Sequence, residues 1–300
     1  MKIKVNTYKL YNPKIKSSKT ILTLSDIHSN IKALDKILDF LNCNKVDYIL
    51  IPGDVVDILN LKNEKEFLKR IKDLTKYAPV YISLGNHDKY ISKHGMVEIN
   101  VFKNQEYYKT LNKIPNLHLF INDLDYIELD DISISSIVLP NDYYKKKENI
   151  DIFNSFIRDI DKKEKINKNK FNIMLIHSPN AVIQKKKIIN YSKTINKTNL
   201  ILCGHNHGGL TPTTIQDLFN NHYGIVGPFS RLIQRNAYGL WTNDHKNLLV
   251  SNGVTKVSGT CPFKLLHGLV NKMICPEIDL IYLENKNEES FKLINRSKYE

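Results

Sequence analysis

The chain has 300 residues, 42% hydrophobic and 25% charged, which is enough to bury a core unaided and too apolar for a disordered chain. Lys+Arg 44 against Asp+Glu 31 leaves a net charge of +13, so anionic partners stay open while an acidic, solvating chain is excluded. No run approaches the eighteen or so uninterrupted apolar residues of a membrane span, and the four scattered cysteines, Cys43, Cys203, Cys261 and Cys275, are no disulfide framework.

In chain order, the first six residues, Met1 to Asn6, are basic but lack the apolar stretch of an export signal. With reduced thiols, this predicts a cytoplasmic protein. Lys2, Lys4, Lys9, Lys14, Lys16 and Lys19 precede any acidic residue, so residues 1–17 read as a basic lead-in to a single domain. The core is expected over about 18–284, with a polar tail over 285–300. The lysine excess, with triplets at 145–147 and 185–187, reads as solvated surface ahead of a dedicated patch.

Short apolar runs rich in β-branched residues then recur, each ending in a polar cluster. They are 20–24 before Ser25-Asp26-Ile27-His28, 48–51 before Pro52-Gly53-Asp54, and 80–84 before Gly85-Asn86-His87-Asp88. Two more are 173–176 before His177 and 200–203 before Gly204-His205-Asn206-His207. Such runs predict buried strands. Ile31, Leu34, Ile37, Leu38 and Leu41 follow helical spacing, as do Phe67, Leu68, Ile71 and Leu74. Weaker helical patterns cover 148–164 and 180–189, a mostly helical insert is expected near 96–114, and residues 132–137 and 223–283 read as β. Strands alternating with helices predict an α/β sandwich.

In open α/β sheets, ligands bind beyond the carboxyl ends of the strands. Here those loops deliver Asp26, His28, Asp54, Asn86, His177, His205 and His207. Carboxylate, imidazole and amide without thiolate suit Mn, Fe or Zn in a reactive site better than a structural zinc. Seven ligands exceed the needs of one ion, and an aspartate can bridge two, which is the arithmetic of a two-metal centre. A lone histidine at a strand end is usually structural, and that reading covers His94, His118, His222, His245 and His267 one by one. Asn30 and Asp57 read as loop-stabilising.

The ordered series Asp-x-His, Gly-Asp, Gly-Asn-His-Asp, His and Gly-His-x-His, running from Asp26 to His207, resembles the calcineurin-like metallophosphoesterases. The resemblance implies a four-layer α/β/β/α sandwich with two mixed sheets and flanking helices. It implies that Asp26, His28 and His207 hold one divalent ion, that Asn86, His177 and His205 hold a second, and that Asp54 bridges both. Manganese is the first choice of ion, with iron or zinc as alternatives. His87 then reads as leaving-group acid or transition-state stabiliser, and Asp88 as the carboxylate holding its imidazole in one tautomer. The expected reaction is in-line hydrolysis of a phosphoester by a hydroxide shared between the ions.

The later motifs Gly204-His205-Asn206-His207-Gly208-Gly209, Leu249-Val250-Ser251-Asn252-Gly253, Ser258-Gly259-Thr260-Cys261-Pro262-Phe263 and Cys275-Pro276-Glu277-Ile278 narrow the likeness. Their order resembles a bacterial branch that includes enzymes similar to UDP-2,3-diacylglucosamine hydrolases, implying a phosphodiesterase acting on a small or lipid-linked phosphoester. An apolar segment over 264–275 is expected to pack on the core, with peripheral membrane contact as the alternative. Arg231, Arg235 and His94 are candidate substrate contacts, the arginines because a guanidinium grips phosphate in bidentate fashion. Two other functions share the motifs. A nuclease would draw on the positive charge but lacks an aromatic-interleaved basic groove, and a metal-binding interaction module would reuse the scaffold without turnover.

Overall fold

A computed structural model describes residues 2–56, 63–89, 106–144, 148–212, 215–216, 222–227, 232–243, 246–255 and 275–299. Strands β1 (Ile3–Tyr11), β2 (Lys19–Thr23), β3 (Tyr48–Ile51), β4 (Val80–Ile82) and β5 (Leu117–Leu119) come from the first half of the chain. They are followed by β6 (Leu124–Glu128), β7 (Ile132–Ile137), β8 (Phe171–Ile176), the short pair β9 (Ile183–Gln184) and β10 (Lys187–Ile188), and β11 (Leu200–Cys203). The last are β12 (Gly224–Val226), β13 (Leu232–Gln234), β14 (Gly239–Asn243), β15 (Lys246–Val250), β16 (Glu277–Glu284) and β17 (Ser290–Tyr299).

Two large mixed sheets result among the described residues. One is seven-stranded in the order β17-β1-β16-β2-β3-β4-β5, and the other six-stranded in the order β14-β15-β11-β8-β7-β6. Strands β2 to β5 run parallel, as do β7, β8, β11 and β15. The apolar runs are continuous rather than alternating because both faces of each sheet are covered. Ile21, Leu50 and Tyr81 meet Ile134, Phe171, Ile173, Leu200 and Leu202 between the sheets. On the outer face of the seven-stranded sheet, Leu22, Ile49, Ile51 and Val80 pack under the helices Ile31–Cys43 and Glu64–Leu74. On the outer face of the other, Met174, Ile176 and Ile201 pack under the helix Ile150–Lys163. Helix, sheet, sheet and helix therefore form the four layers expected.

The predicted helices begin where their caps say. Asn30 accepts a hydrogen bond from the Ala33 amide at 3.1 Å, and Asn149 caps the helix that follows it through the amides of Asp151 and Ile152. Asn30 is thus the loop-stabilising residue expected of it, while Asp57 lies outside the described residues.

Three expectations change. The basic lead-in and the polar tail are strands of the large sheet: β1 lies parallel to β16 and antiparallel to β17. Lysines and asparagines alternating with Ile3, Val5, Tyr8 and Leu10 hid the strand pattern, yet Lys4 itself is buried. The helical pattern over 180–189 is one short turn, Pro179–Val182, followed by the β9–β10 hairpin, because Lys185 and Lys186 adopt positive φ and reverse the chain. Of the insert near 96–114, the helix Glu106–Leu111 is described and residues 96–105 lie outside the described residues.

A buried acidic residue sits inside the large sheet. Asp279 lies opposite Asn6 on β1 and Thr23 on β2, and accepts a hydrogen bond from Asn6 Nδ2 at 2.9 Å. Burial first and the neighbouring Glu277 second push its carboxyl up to about 7, against the opposing pull of Asn6, Ser251 and Lys4. An acid raised in the folded state contributes stability that is complete below the unfolded value of about 4 and is lost as pH rises through about 7. Asp279→Asn is therefore expected to gain in melting temperature over the native chain between pH 5 and pH 8. A constant difference across that range would mean that Asp279 stays ionised throughout.

Candidate functional site

The loops leaving β2, β3 and β4 on one sheet and β8 and β11 on the other meet at one end of the sandwich. Backbone bonds stitch them together: the Asp26 amide donates to Gly53 O at 3.2 Å, His28 to Asp54 O at 3.0 Å, and Gly204 to His177 O at 3.0 Å. Contacts to backbone groups also cross between the sheets. The His205 amide reaches Asp26 Oδ1 and Oδ2 at 3.1 Å, and His177 Nδ1 lies 3.2 Å from Pro52 O.

Three groups of side chains gather there: Asp26 with His28 and His207, Asp54 with His177 and His205, and His28 with Asp54 and His87. His28 Nε2 and His207 Nε2 are 3.2 Å apart, and lie 3.9 and 3.4 Å from Asp26 Oδ1. Neighbouring ligands on an ion with bonds of about 2.0–2.2 Å stand roughly 3–3.6 Å apart, so the separations from His207 to His28 and to Asp26 suit a shared cation, with that from His28 to Asp26 slightly longer. On the other side, His177 Nε2 is 3.0 Å from Asp54 Oδ2, and Asp54 Oδ2 is 3.8 Å from His28 Nε2. Asp54 thus faces both groups.

The orphaned Asn86 Oδ1 supports a cation as well. It is buried without a hydrogen-bond partner, a state that costs on the order of 1–3 kcal/mol in a dry interior. A divalent ion accepting its lone pair removes that cost. The residues present therefore fit a metal centre built from nitrogen and oxygen donors.

Backbone strain is concentrated in the same residues. Asp26, His28, Asp54, His205 and His207 all have φ between 45° and 72°, the left-handed region that side-chain-bearing residues avoid at a cost on the order of 1–3 kcal/mol each. The loops hold this shape through crowding that only glycine permits. A Cβ on Gly85 would land on Asp54 Oδ1, and one on Gly204 would land on Ser25 Oγ and Asp26 Oδ2.

Burial holds His28 and His205 well below the usual imidazole range, so their lone pairs are free at neutral pH. Burial also works to raise Asp54, but the neighbouring imidazoles, His177 first through its charge and hydrogen bond, outweigh it and lower the carboxyl well below its usual range. For His177 burial works downward, and the charge of Asp54 overrides it, lifting the ring to about 9. His177 Nε2 and Asp54 Oδ2 stand 3.0 Å apart, so a proton or a cation between them satisfies both.

His87 is exposed at the rim, its amide bonded to Asp54 Oδ1 at 2.8 Å and its ring set edge-on to His28 with centroids 4.7 Å apart. Asp88 does not hold that ring. It is buried, and its oxygens accept the backbone amides of Asp54, Val56 and Gly85, each at 2.8 Å. The adjacent position suggested a tautomer-fixing pair. The turn instead sends Asp88 inward, where three amides left without strand partners need an acceptor. Burial, then Asp54, raises this carboxyl to about 7 despite those amides.

Arg235 is exposed on the turn after β13, and His94 and Arg231 lie outside the described residues, as does the 264–275 segment except for Cys275. His118 and His222 are structural: the first stacks on Tyr81 with centroids 4.9 Å apart, and Nδ1 of the second lies 2.9 Å from Tyr238 O. One residue of the site escaped the sequence reading. Glu148 is buried with Oε1 3.5 Å from His205 Nε2, and in the sequence it closes the run Lys145-Lys146-Lys147-Glu148, which reads as charged surface.

Residues 19–209 match the family of calcineurin-like phosphoesterases. A metallophosphoesterase of Helicobacter pylori is 28% identical over 211 residues, covering 69% of this chain and 49% of that protein. One of Campylobacter jejuni is 26% identical over 241 residues, covering 76% of this chain and 56% of that protein. The chain thus spans about half the length of these curated relatives. Among solved structures, a protein of Thermus thermophilus aligns with a TM-score of 0.48 at 11% identity, covering 80% of this chain and 92% of that one. No helix among the described residues is long and apolar enough to cross a membrane.

Proposed function

The chain belongs to the calcineurin-like phosphoesterase family, and from that premise we propose that it is a two-metal phosphodiesterase. The observation that carries the reading is the junction of two donor groups, Asp26–His28–His207 and Asp54–His177–His205, with Asp54 facing both. Asp26, His28 and His207 would hold one divalent ion, and Asn86, His177 and His205 the other, with manganese the first ion to supply. When bound, the ions supply a water activated at neutral pH and positive charge for the phosphoryl oxygens.

The chain's own residues do the rest. Asp54 keeps the two groups in register, and its Oδ1 accepts the His87 amide, which holds the Asn86–His87 turn beside the centre. His87, exposed at the rim and braced against His28, is placed to hand a proton to the departing alkoxide.

A diester with an apolar or lipid-linked leaving group is supported by the β12–β13 hairpin. Gly209, just after His207, and Gly224 at the start of the hairpin approach so closely that a Cβ on either would strike the other's backbone. This seats Ile225 and Ile233, 49% and 69% exposed, on the hairpin next to the His207 turn. Cys43 and Cys203 are thiols outside any disulfide, which suits a reducing compartment, and we place the enzyme in the cytoplasm.

Hydrolysis of bis-p-nitrophenyl phosphate and of p-nitrophenyl phosphate tests the proposal on chelated protein resupplied with Mn, Fe(II), Zn or Mg. Diester turnover is expected to need metal and to fall about 10²–10⁴-fold in His87→Ala, with metal content unchanged. Undiminished turnover after chelation overturns it.

A further inference from the structure

Glu148 has no place in the scheme above, and its surroundings are unusual. It is 7% exposed, and a buried carboxylate is costly unless every lone pair is used. Its Oε1 accepts Ser178 Oγ, lies 3.4 Å from Tyr143 OH and stands 3.5 Å from His205 Nε2, while its Oε2 accepts Asn180 Nδ2 at 2.7 Å. His205 Nε2 is itself buried and makes no hydrogen bond. The His205 ring is clamped between Tyr144 and His177, with centroids at 5.3 and 5.0 Å. Its freedom is therefore rotation about its own axis, which decides which nitrogen faces the centre.

We propose that Glu148 is a positioning residue for the metal centre: it takes the Nε2–H of His205, which turns Nδ1 of that ring toward the ion shared with Asp54 and His177. This rests on the two-metal reading above. His177 offers the parallel within the same site. Its Nδ1 is directed at the Pro52 carbonyl at 3.2 Å, which leaves Nε2 for the centre. Each imidazole of this ion thus has an acceptor behind it, a carbonyl for one and a carboxylate for the other. An acceptor on the far nitrogen settles tautomer and ring orientation and raises ligand basicity.

The carboxylate also ties the site to its rim. Asn180, held by Glu148, accepts from Asn236 Nδ2 at 3.2 Å and Gln234 Nε2 at 3.4 Å, the two residues that flank Arg235. A purely structural Glu148 would act through these ties and through contacts such as those with Ser178 and Tyr143.

Metal titration by calorimetry, elemental analysis and ¹⁵N NMR of the histidine rings separate the two roles in the 300-residue chain. Native protein is expected to bind two ions. Glu148→Gln keeps the shape and an acceptor for Asn180 Nδ2, turns its NH2 toward Ser178 Oγ and His205, and is expected to lose about 10–100-fold in affinity for one ion only. The metal-free melting temperature should change little, and the NMR should show the Nε2–H tautomer of His205 no longer dominant. Asn180→Ala cuts the ties to the rim and is expected to leave both affinities intact. Two ions bound by Glu148→Gln with native affinity would overturn the proposal, as would Asn180→Ala reproducing the loss. If Glu148→Gln fails to fold, the tautomer of His205 in zinc-loaded native protein decides: a proton on Nδ1 overturns it. Native protein that binds no metal would instead overturn the two-metal reading.

Discussion

Asp54→Asn is expected to cut diester turnover by about 10³-fold and to reduce bound metal below two ions for each chain. The carboxylate is the group that faces both donor sets, with Oδ2 3.0 Å from His177 Nε2 and 3.8 Å from His28 Nε2 and Oδ1 under the His87 amide. The amide substitute removes the negative charge and presents one donor arm to a site already full of nitrogen donors. An ion's stabilisation of transition-state charge amounts to several kcal/mol, and about 4 kcal/mol corresponds to three decades in rate. Elemental analysis and initial rates on the purified variant read both effects. Native turnover with two ions bound would remove Asp54 from the centre.

The second large effect falls on stability. Asp88→Ala is expected to cost on the order of 4 kcal/mol, because the amides of Asp54, Val56 and Gly85 lose their acceptor inside a sealed turn. At roughly 2–4 °C for each kcal/mol in a chain of this size, the melting temperature should fall by about 10 °C. Asp88→Asn, which keeps one acceptor oxygen, should recover part of it. Metal affinity falls alongside, since the Asp54 amide is one of the three. A variant as stable as the native chain would mean that water or another group serves these amides.

Much of the site was legible in residue types and order. Short apolar runs ending in Asp26-Ile27-His28, Gly53-Asp54, Gly85-Asn86-His87-Asp88, His177 and His205-Asn206-His207 announce strands whose carboxyl ends carry ligands, because buried parallel strands need unbroken apolar segments and cannot hold such groups within them. The strands and helices that carry these loops stand close to where periodicity put them. The edges of the large sheet were not legible. β1 and β17 alternate polar and apolar residues without a strong pattern, and only pairing across more than 270 residues makes Lys4 and Asn6 interior.

The role of Asp88 was equally hidden. Sequence places it next to His87, but neighbours on a tight turn point to opposite sides, and the unpaired amides of two loops draw it inward. Glu148 is the same case at longer range: after three lysines it has the look of surface, and it becomes buried only because the helix it precedes packs against the strand that ends in His177.

By itself, then, the sequence determined the central strands and the long helices between them, the chemistry of the donor set and the family, all of which depend on local periodicity and on residue identity at short spacing. Tertiary structure alone decided which donor side chains stand within reach of one another, which groups stand beside His205 and His177, and which acidic residues are buried. Those depend on two sheets packing face to face so that their loops meet at one end, and a contact made across the chain leaves no local signal in either of the segments that make it.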